Sequence, residues 1–292
     1  SYKVAIELKA PFRRVKGKIE RRNLNVENHL EQVKKYLQSG FDYLILTDLY
    51  EWVFFSRSSL LGEKLLYFSR LSLKDFREFV ENKNLRSFIG VCRQLERTYP
   101  LKNLDKYFFR DLKNYVKEFE HVIEDQEKAV KIVNSLIFLR TLEDTGVVDY
   151  KRLENRFKTW ENDHGENSKK VFNLLICDVK DFYYDYFDTD LFRWEEILSS
   201  LPNDKQVEFL KTFKRVMGFD KYTEAFYMGL KFYNFEALNE DVFGKSYEEF
   251  LAERRKEEGI FYTPAYITEY LVKRTLDLVF NPLKEELYKS II

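Results

Sequence analysis

The first residues of the chain alternate between apolar and polar positions, a period of two that predicts a β-strand over residues 2–9. One side of this strand carries Val4, Ile6 and Leu8, and the other carries Ala5, Glu7 and Lys9. Apolar residues at helical spacing then predict a helix over residues 26–39, with Gly40 as the terminating residue. Residues 41–47 and 51–55 predict two more strands.

The rest of the chain has mainly helical periodicity. Residues 59–240 contain apolar repeats of about 3.6 residues, separated by short polar breaks. A third region begins near residue 241, with helices predicted around 243–256 and 264–280. We therefore predict a mixed, predominantly α fold in which a small α/β part (1–58) precedes a large helical domain (59–240) and a third segment (241–292).

Composition narrows the class of protein. The chain of 292 residues has only 10 Gly and 5 Pro, which excludes collagen-like and low-complexity proteins. Two cysteines without a CxxC pair argue against a disulfide framework and favour a reducing cytoplasm. No apolar run reaches the length of a membrane span. Lys plus Arg and Asp plus Glu are both 49, so basic surfaces must be sought region by region.

The first strand carries the first candidate chemistry. Glu7 and Lys9 are two residues apart, so their side chains leave the strand on the same side. A carboxylate there can hold a divalent cation, and an ammonium group can orient water or stabilise charge that develops on a phosphate. Surface strands also alternate charges, so this pair alone leaves both interpretations open.

The predicted helix adds a second pair. Gln32 and Tyr36 are four residues apart and share a helix face. The stretches AIELKAP (5–11), HLEQVKKY (29–36) and YLILTDLYEW (43–52) resemble, in this order, the PD-(D/E)XK nucleases of restriction enzymes that carry a Q-x-x-x-Y element. The resemblance implies a Mg²⁺-dependent endonuclease in which Glu7 and Lys9 are catalytic, Glu7 binds the metal, and Gln32 and Tyr36 complete the site.

The resemblance also implies a missing residue. In that family a metal-binding Asp precedes the E-x-K strand, whereas only six residues precede Glu7 here. We therefore expect the sequence to be truncated at its start, and the metal site of this fragment to have one carboxylate fewer.

A basic stretch follows the first strand. Residues 9–22 hold seven Lys or Arg against one Glu, and we interpret them as a loop with a local charge of +6. Such a loop beside a metal site suits contact with the phosphates of double-stranded DNA, although charged loops are often merely solvated. The candidate DNA-binding residues are Arg13, Arg14, Lys16, Lys18, Arg21 and Arg22.

A second candidate site lies in the third region, at Gly259–Pro264. Thr263 is a suitable N-cap and Pro264 a suitable first helical residue, which by themselves indicate a capped helix. The wider stretch, residues 233–276, resembles the entry to the adenine-specific DNA methyltransferase domain of type IIG single-chain restriction-modification enzymes. The resemblance implies that Tyr262, Thr263 and Pro264 line an S-adenosylmethionine pocket.

In the helical region 59–240, residues 136–146 resemble the helical spacer that the same enzymes have between nuclease and methyltransferase. In the sequence we find neither a Gly-rich cofactor loop nor an N-P-P-Y motif after residue 264, so we expect the chain to be a fragment. Three functions remain open: a segment of a bifunctional restriction-modification enzyme, a defence or repair nuclease whose helical part binds DNA or partners, and a non-catalytic helical scaffold.

Overall fold

A computed structural model describes residues 2–62, 64–165, 167–187, 189–219, 228–238 and 265–291. The chain divides into two compact units, residues 1–242 and 243–292. The first unit contains a small sheet followed by helices, and the predicted mixed, predominantly α fold class is confirmed. The domain boundaries near residues 58 and 240 stay predictions.

The sheet has four strands, in the order Val4–Leu8, Tyr43–Thr47, Glu51–Ser56 and Ser69–Ser72. β1 (Val4–Leu8) pairs in parallel with β4 (Tyr43–Thr47), and the intervening helix α1 (Leu30–Gln38) begins after a short 3₁₀ turn (Glu27–His29). β5 (Glu51–Ser56) and β6 (Ser69–Ser72) add two antiparallel pairs. The predicted helix and the strands at 41–47 and 51–55 are thus confirmed, and β6 extends the sheet into the segment predicted to be helical.

Both faces of the central strand are covered, because every residue of β4 is buried. On one face, Val33 and Leu37 of α1 pack against Leu44, Leu46 and the neighbouring strand. On the other face, Trp52 stacks on Phe76 of helix α2 (Leu73–Asn82) with ring centroids 4.3 Å apart. This burial fixes β4 and the adjacent β1 relative to α1.

β1 departs from the usual relation between polarity and burial. Its polar side, with Glu7, faces α1, whereas Ile6 and Leu8 on its apolar side are 46% and 58% exposed. The register explains the polar side, since Ala5 and Glu7 lie beside Leu44 and Leu46, which α1 covers. The strand is confirmed, and its charged pair lies on the covered face.

The predicted basic loop is wrong in its conformation. Residues 12–21 form a separate antiparallel hairpin of β2 (Phe12–Val15) and β3 (Lys18–Arg21). Its two-residue turn, Lys16–Gly17, has φ values of +46° and +81°. A two-residue turn with positive φ at both central positions has a twist that matches the twist of antiparallel strands. This turn lets the charged residues on either side of it pair as a hairpin.

The helical part of the first unit begins with α3 (Phe88–Thr98). Two long helices follow, α4 (Leu104–Ile123) and α5 (Gln126–Thr145), joined by a short connection. Helices α6 (Arg152–His164), α7 (Ser168–Asp178), α8 (Asp185–Phe187), α9 (Trp194–Leu198) and α10 (Asn203–Met217) follow. A π-helical turn, Val179–Tyr184, continues α7. Buried aromatic side chains fill their core, among them Phe157, Phe172, Trp194, Phe209 and Phe213.

A buried ion network joins the sheet to the helices. Arg57, in the turn after β5, pairs with Asp144 of α5 at 2.8 Å and with Asp42 at 3.3 Å. Arg140 pairs with Asp144 at 2.7 Å and also contacts Glu143. These charged groups therefore pair with each other inside the fold, as buried charges require.

The second unit is described over one helix, α11 (Ala265–Ile291). It includes the predicted helix 264–280 from its second residue and continues past Pro282. None of the helices in the described parts of the chain combines the length and apolar character needed to cross a bilayer.

Candidate active site

The candidate site lies where β1 meets α1. The parallel register places Glu7 beside Leu46, and the backbone N–H of Lys9 donates to the carbonyl of Thr47 at 2.8 Å. The hydrogen bond of Lys9 extends the strand pairing one residue past Leu8, the last residue of β1. The side chains of Glu7 and Lys9 therefore lie on the face that α1 covers.

The four residues predicted to form the site are brought together. Lys9 Nζ donates to Glu7 Oε1 at 2.8 Å and to Gln32 Oε1 at 2.9 Å. The Tyr36 hydroxyl donates to Glu7 Oε2 at 3.3 Å. The helical spacing of Gln32 and Tyr36 thus places two side chains of one helix face on the two charged groups of one strand face.

The ammonium group of Lys9 retains bonding capacity. A lysine has three N–H donors, and the hydrogen bonds from Lys9 to Glu7 and Gln32 use two of them. Both Glu7 and Lys9 are about one-fifth exposed, so the pair is accessible from solvent while its geometry is held. A third acceptor, such as water or a phosphate oxygen, could be bound there.

Glu7 is held in its ionised form. The hydrogen bond from Lys9, assisted by its positive charge and by the bonds from Gln32 and Tyr36, lowers the pKa of Glu7 below its usual range against the opposing effect of desolvation. An ionised carboxylate is the form that binds hard cations.

A Mg²⁺ ion usually keeps several waters and binds through one or two carboxylates together with substrate phosphates. Glu7 fits as one such ligand, because the two oxygens of an ionised carboxylate offer about four lone-pair sites, and its contacts with Lys9, Gln32 and Tyr36 leave capacity for a cation. The described residues contain no cluster of three or more His, Cys, Asp or Glu that could hold a metal.

His29 is a neighbour that the sequence interpretation did not single out. It is the residue before α1, is half-buried, and lies one helical turn from Gln32. Desolvation, followed by the positive charges of Lys9 and Arg22, lowers the pKa of His29 below its ordinary value. The signal in the sequence was its spacing of three residues from Gln32 and seven from Tyr36, which predicts a shared helix face.

The predicted DNA-binding residues all belong to the β2–β3 hairpin or its end. Arg13 and Arg14 lie in β2, Lys16 in the turn, Lys18 and Arg21 in β3, and Arg22 directly after it. The charge of Arg22 acts on His29, which connects the base of the hairpin to the candidate site. Contact with DNA stays a prediction.

The residues predicted to bind the methyl donor, Tyr262, Thr263 and Pro264, lie outside the described residues. The S-adenosylmethionine pocket therefore also stays a prediction.

Comparison with known proteins finds similarity to an archaeal protein. The chain is 25% identical to a Methanocaldococcus jannaschii protein that carries the provisional name type II restriction enzyme and methyltransferase, over 269 residues. This similarity supports a relationship with restriction-modification enzymes. The match covers 79% of this chain and 22% of that protein, so the chain spans about a fifth of its relative. No protein-family model and no solved structure matches the chain.

Proposed function

We propose that the first unit contributes a nuclease active site that hydrolyses phosphodiester bonds of double-stranded DNA in a restriction-modification enzyme. The observation that carries this proposal is the position of Lys9, whose ammonium group lies between Glu7 and Gln32. The similarity to the Methanocaldococcus jannaschii protein supports the same class of enzyme.

In this proposal Glu7 is a ligand of Mg²⁺, which supplies positive charge to a phosphate and acidifies bound water when it is present. The remaining N–H of Lys9 binds the attacking water or a non-bridging phosphate oxygen, and its charge stabilises the charge that develops there. Gln32 holds the ammonium group in place, and Tyr36 fixes the orientation of the Glu7 carboxylate.

The whole protein would combine this nuclease with an N6-adenine DNA methyltransferase in the type IIG arrangement. The similarity to a protein named for both activities supports this wider proposal, together with the resemblance of residues 233–276 to a methyltransferase entry segment. Tyr262, Thr263 and Pro264 would then line the S-adenosylmethionine pocket, with further cofactor residues contributed elsewhere in the whole protein.

Plasmid cleavage by the whole protein with Mg²⁺ tests the nuclease proposal. We expect Lys9→Ala to abolish cleavage and leave folding and methyl transfer from S-adenosylmethionine intact. Lys34→Ala is the matched control, because Lys34 is exposed on α1. Unchanged cleavage by Lys9→Ala would overturn the assignment.

A further inference from the structure

The β2–β3 hairpin is an exposed two-stranded ribbon. Every residue of β3 is exposed, as are three of the four residues of β2. Ile19, near the turn, is 73% exposed although it is strongly apolar. An isolated hairpin has marginal stability by itself, and an apolar side chain at its tip gains from being covered by a binding partner.

The strand register divides the basic residues between two faces. Phe12 lies opposite Arg21, and Arg14 lies opposite Ile19, so these four side chains share one face. The other face carries the pairs Arg13–Glu20 and Val15–Lys18.

The two faces differ in charge. The face with Phe12, Arg14, Ile19 and Arg21, here called the arginine face, has two positive charges and no acidic residue. On the opposite face, Glu20 offsets part of the positive charge and lies 3.9 Å from Arg13. The arginine face also interleaves basic and apolar side chains, a composition suited to nucleic acid.

The base of the arginine face is anchored beside the sheet. The guanidinium of Arg21 lies 4.4 Å from the ring centroid of Tyr50, and Phe12 contacts the same ring edge-on at 6.1 Å. The backbone N–H of Tyr50 donates to Asp48 Oδ1 at 3.0 Å in the turn that follows β4. The base of the hairpin thus lies beside the carboxyl end of the β1–β4 pair, the end at which Lys9 lies.

We propose that the arginine face is the surface of the hairpin that contacts duplex DNA. This inference rests on the proposed function, and it selects Arg14 and Arg21 as phosphate contacts from among the basic residues of the hairpin. Ile19 provides an apolar contact in a groove, since the major groove admits a two-stranded β-ribbon. Arg13 and Lys18 face away from the duplex.

Duplex binding by two matched double variants tests the inference. Arg14→Gln/Arg21→Gln and Arg13→Gln/Lys18→Gln each remove two positive charges from the 292-residue chain. Anisotropy of a labelled 30-base-pair duplex, measured in EDTA over a range of salt, follows binding without cleavage. We expect the first variant to bind at least about tenfold more weakly, with a log–log salt slope smaller by about two. The second variant should change the slope by less than about half a unit.

Ile19→Ser separates the apolar contact from charge. We expect about threefold weaker binding with an unchanged salt slope, because no phosphate contact is lost. The Arg13→Gln/Lys18→Gln variant is a strict control. Removing Arg13 leaves the negative charge of Glu20 without its partner, which by itself would weaken DNA binding and so reduce the difference between the two double variants. Thermal unfolding of each variant checks that the fold is kept.

Equal losses for the two double variants would overturn the face assignment while leaving DNA as the substrate. Absence of duplex binding by the parent chain would overturn the inference together with DNA as its partner. Unchanged cleavage by Lys9→Ala would instead overturn the proposed nuclease site. A difference in DNA binding between the two double variants would still support the face assignment.

Discussion

The ammonium group of Lys9 donates a 2.9 Å hydrogen bond to the side-chain oxygen of Gln32, which joins the end of β1 to the first turn of α1. The same ammonium binds Glu7 at 2.8 Å. Gln32 therefore contacts both charged groups of the strand, and its proposed role is to position the ammonium group beside Glu7.

We expect Gln32→Leu to reduce the kcat of DNA cleavage by roughly 10- to 100-fold with little change in KM, because a poorly placed ammonium no longer meets the reacting phosphate. Gln32→Glu, which keeps an oxygen acceptor, should recover part of this loss. Glu31→Leu is the control, since Glu31 is exposed on the same helix. Full activity of Gln32→Leu in steady-state plasmid cleavage would contradict a positioning role.

Tyr36→Phe should raise the pKa of Glu7, because it removes one hydrogen bond to the ionised carboxylate and retains the aromatic ring. The native pKa of Glu7 is depressed, so its contribution to stability is present above the ordinary glutamate value and is lost as pH falls through the native one. Carboxyl NMR titration of both proteins measures the shift. An unchanged Glu7 pKa would show that the 3.3 Å contact contributes nothing to ionisation.

Lys9→Met should raise the pKa of His29 part of the way toward its ordinary value of about 6.5, because one of the two neighbouring positive charges is lost. Burial remains and keeps that pKa depressed. A histidine with a lowered native pKa costs stability as pH falls from the ordinary value through the native one. Imidazole NMR titration tests this, with Lys106→Met, exposed on α4, as the control. An identical titration of His29 in Lys9→Met would contradict their proximity.

The core of the candidate site was predictable because local periodicity determines it. The alternation around Glu7, the four-residue spacing of Gln32 and Tyr36, and the buried strand that follows are each visible in short windows of sequence. The parallel pairing of two strands through one helix then brings these windows together.

Other features depend on contacts that short windows do not contain. The β2–β3 hairpin has no apolar face, and its signal was only the Lys16–Gly17 turn. The short strand β6 gains its conformation from pairing with β5. The lowered pKa of His29 was not predictable, because it depends on burial and on the charges of Lys9 and Arg22 in the folded chain.

The ion network between the sheet and the helices is the clearest long-range case. Arg57 and Asp144 are 87 residues apart, and their 2.8 Å contact forms only when the turn after β5 lies beside α5 in the folded chain. The sequence interpretation placed residues 136–146 in a helical spacer without assigning this contact.

Asp144→Ala should lower the free energy of unfolding by about 3–5 kcal/mol, because it leaves two buried guanidinium groups without their shared partner. Asp144 is fully buried and also accepts a 3.0 Å hydrogen bond from the backbone N–H of Phe235, which would lose its acceptor. Asp163→Ala, at an exposed position of α6, should stay within about 0.5 kcal/mol of the parent. Urea unfolding followed by circular dichroism measures both. If the two alanine variants unfold at the same urea concentration, the Arg57–Asp144 contact does not hold the sheet against the helices.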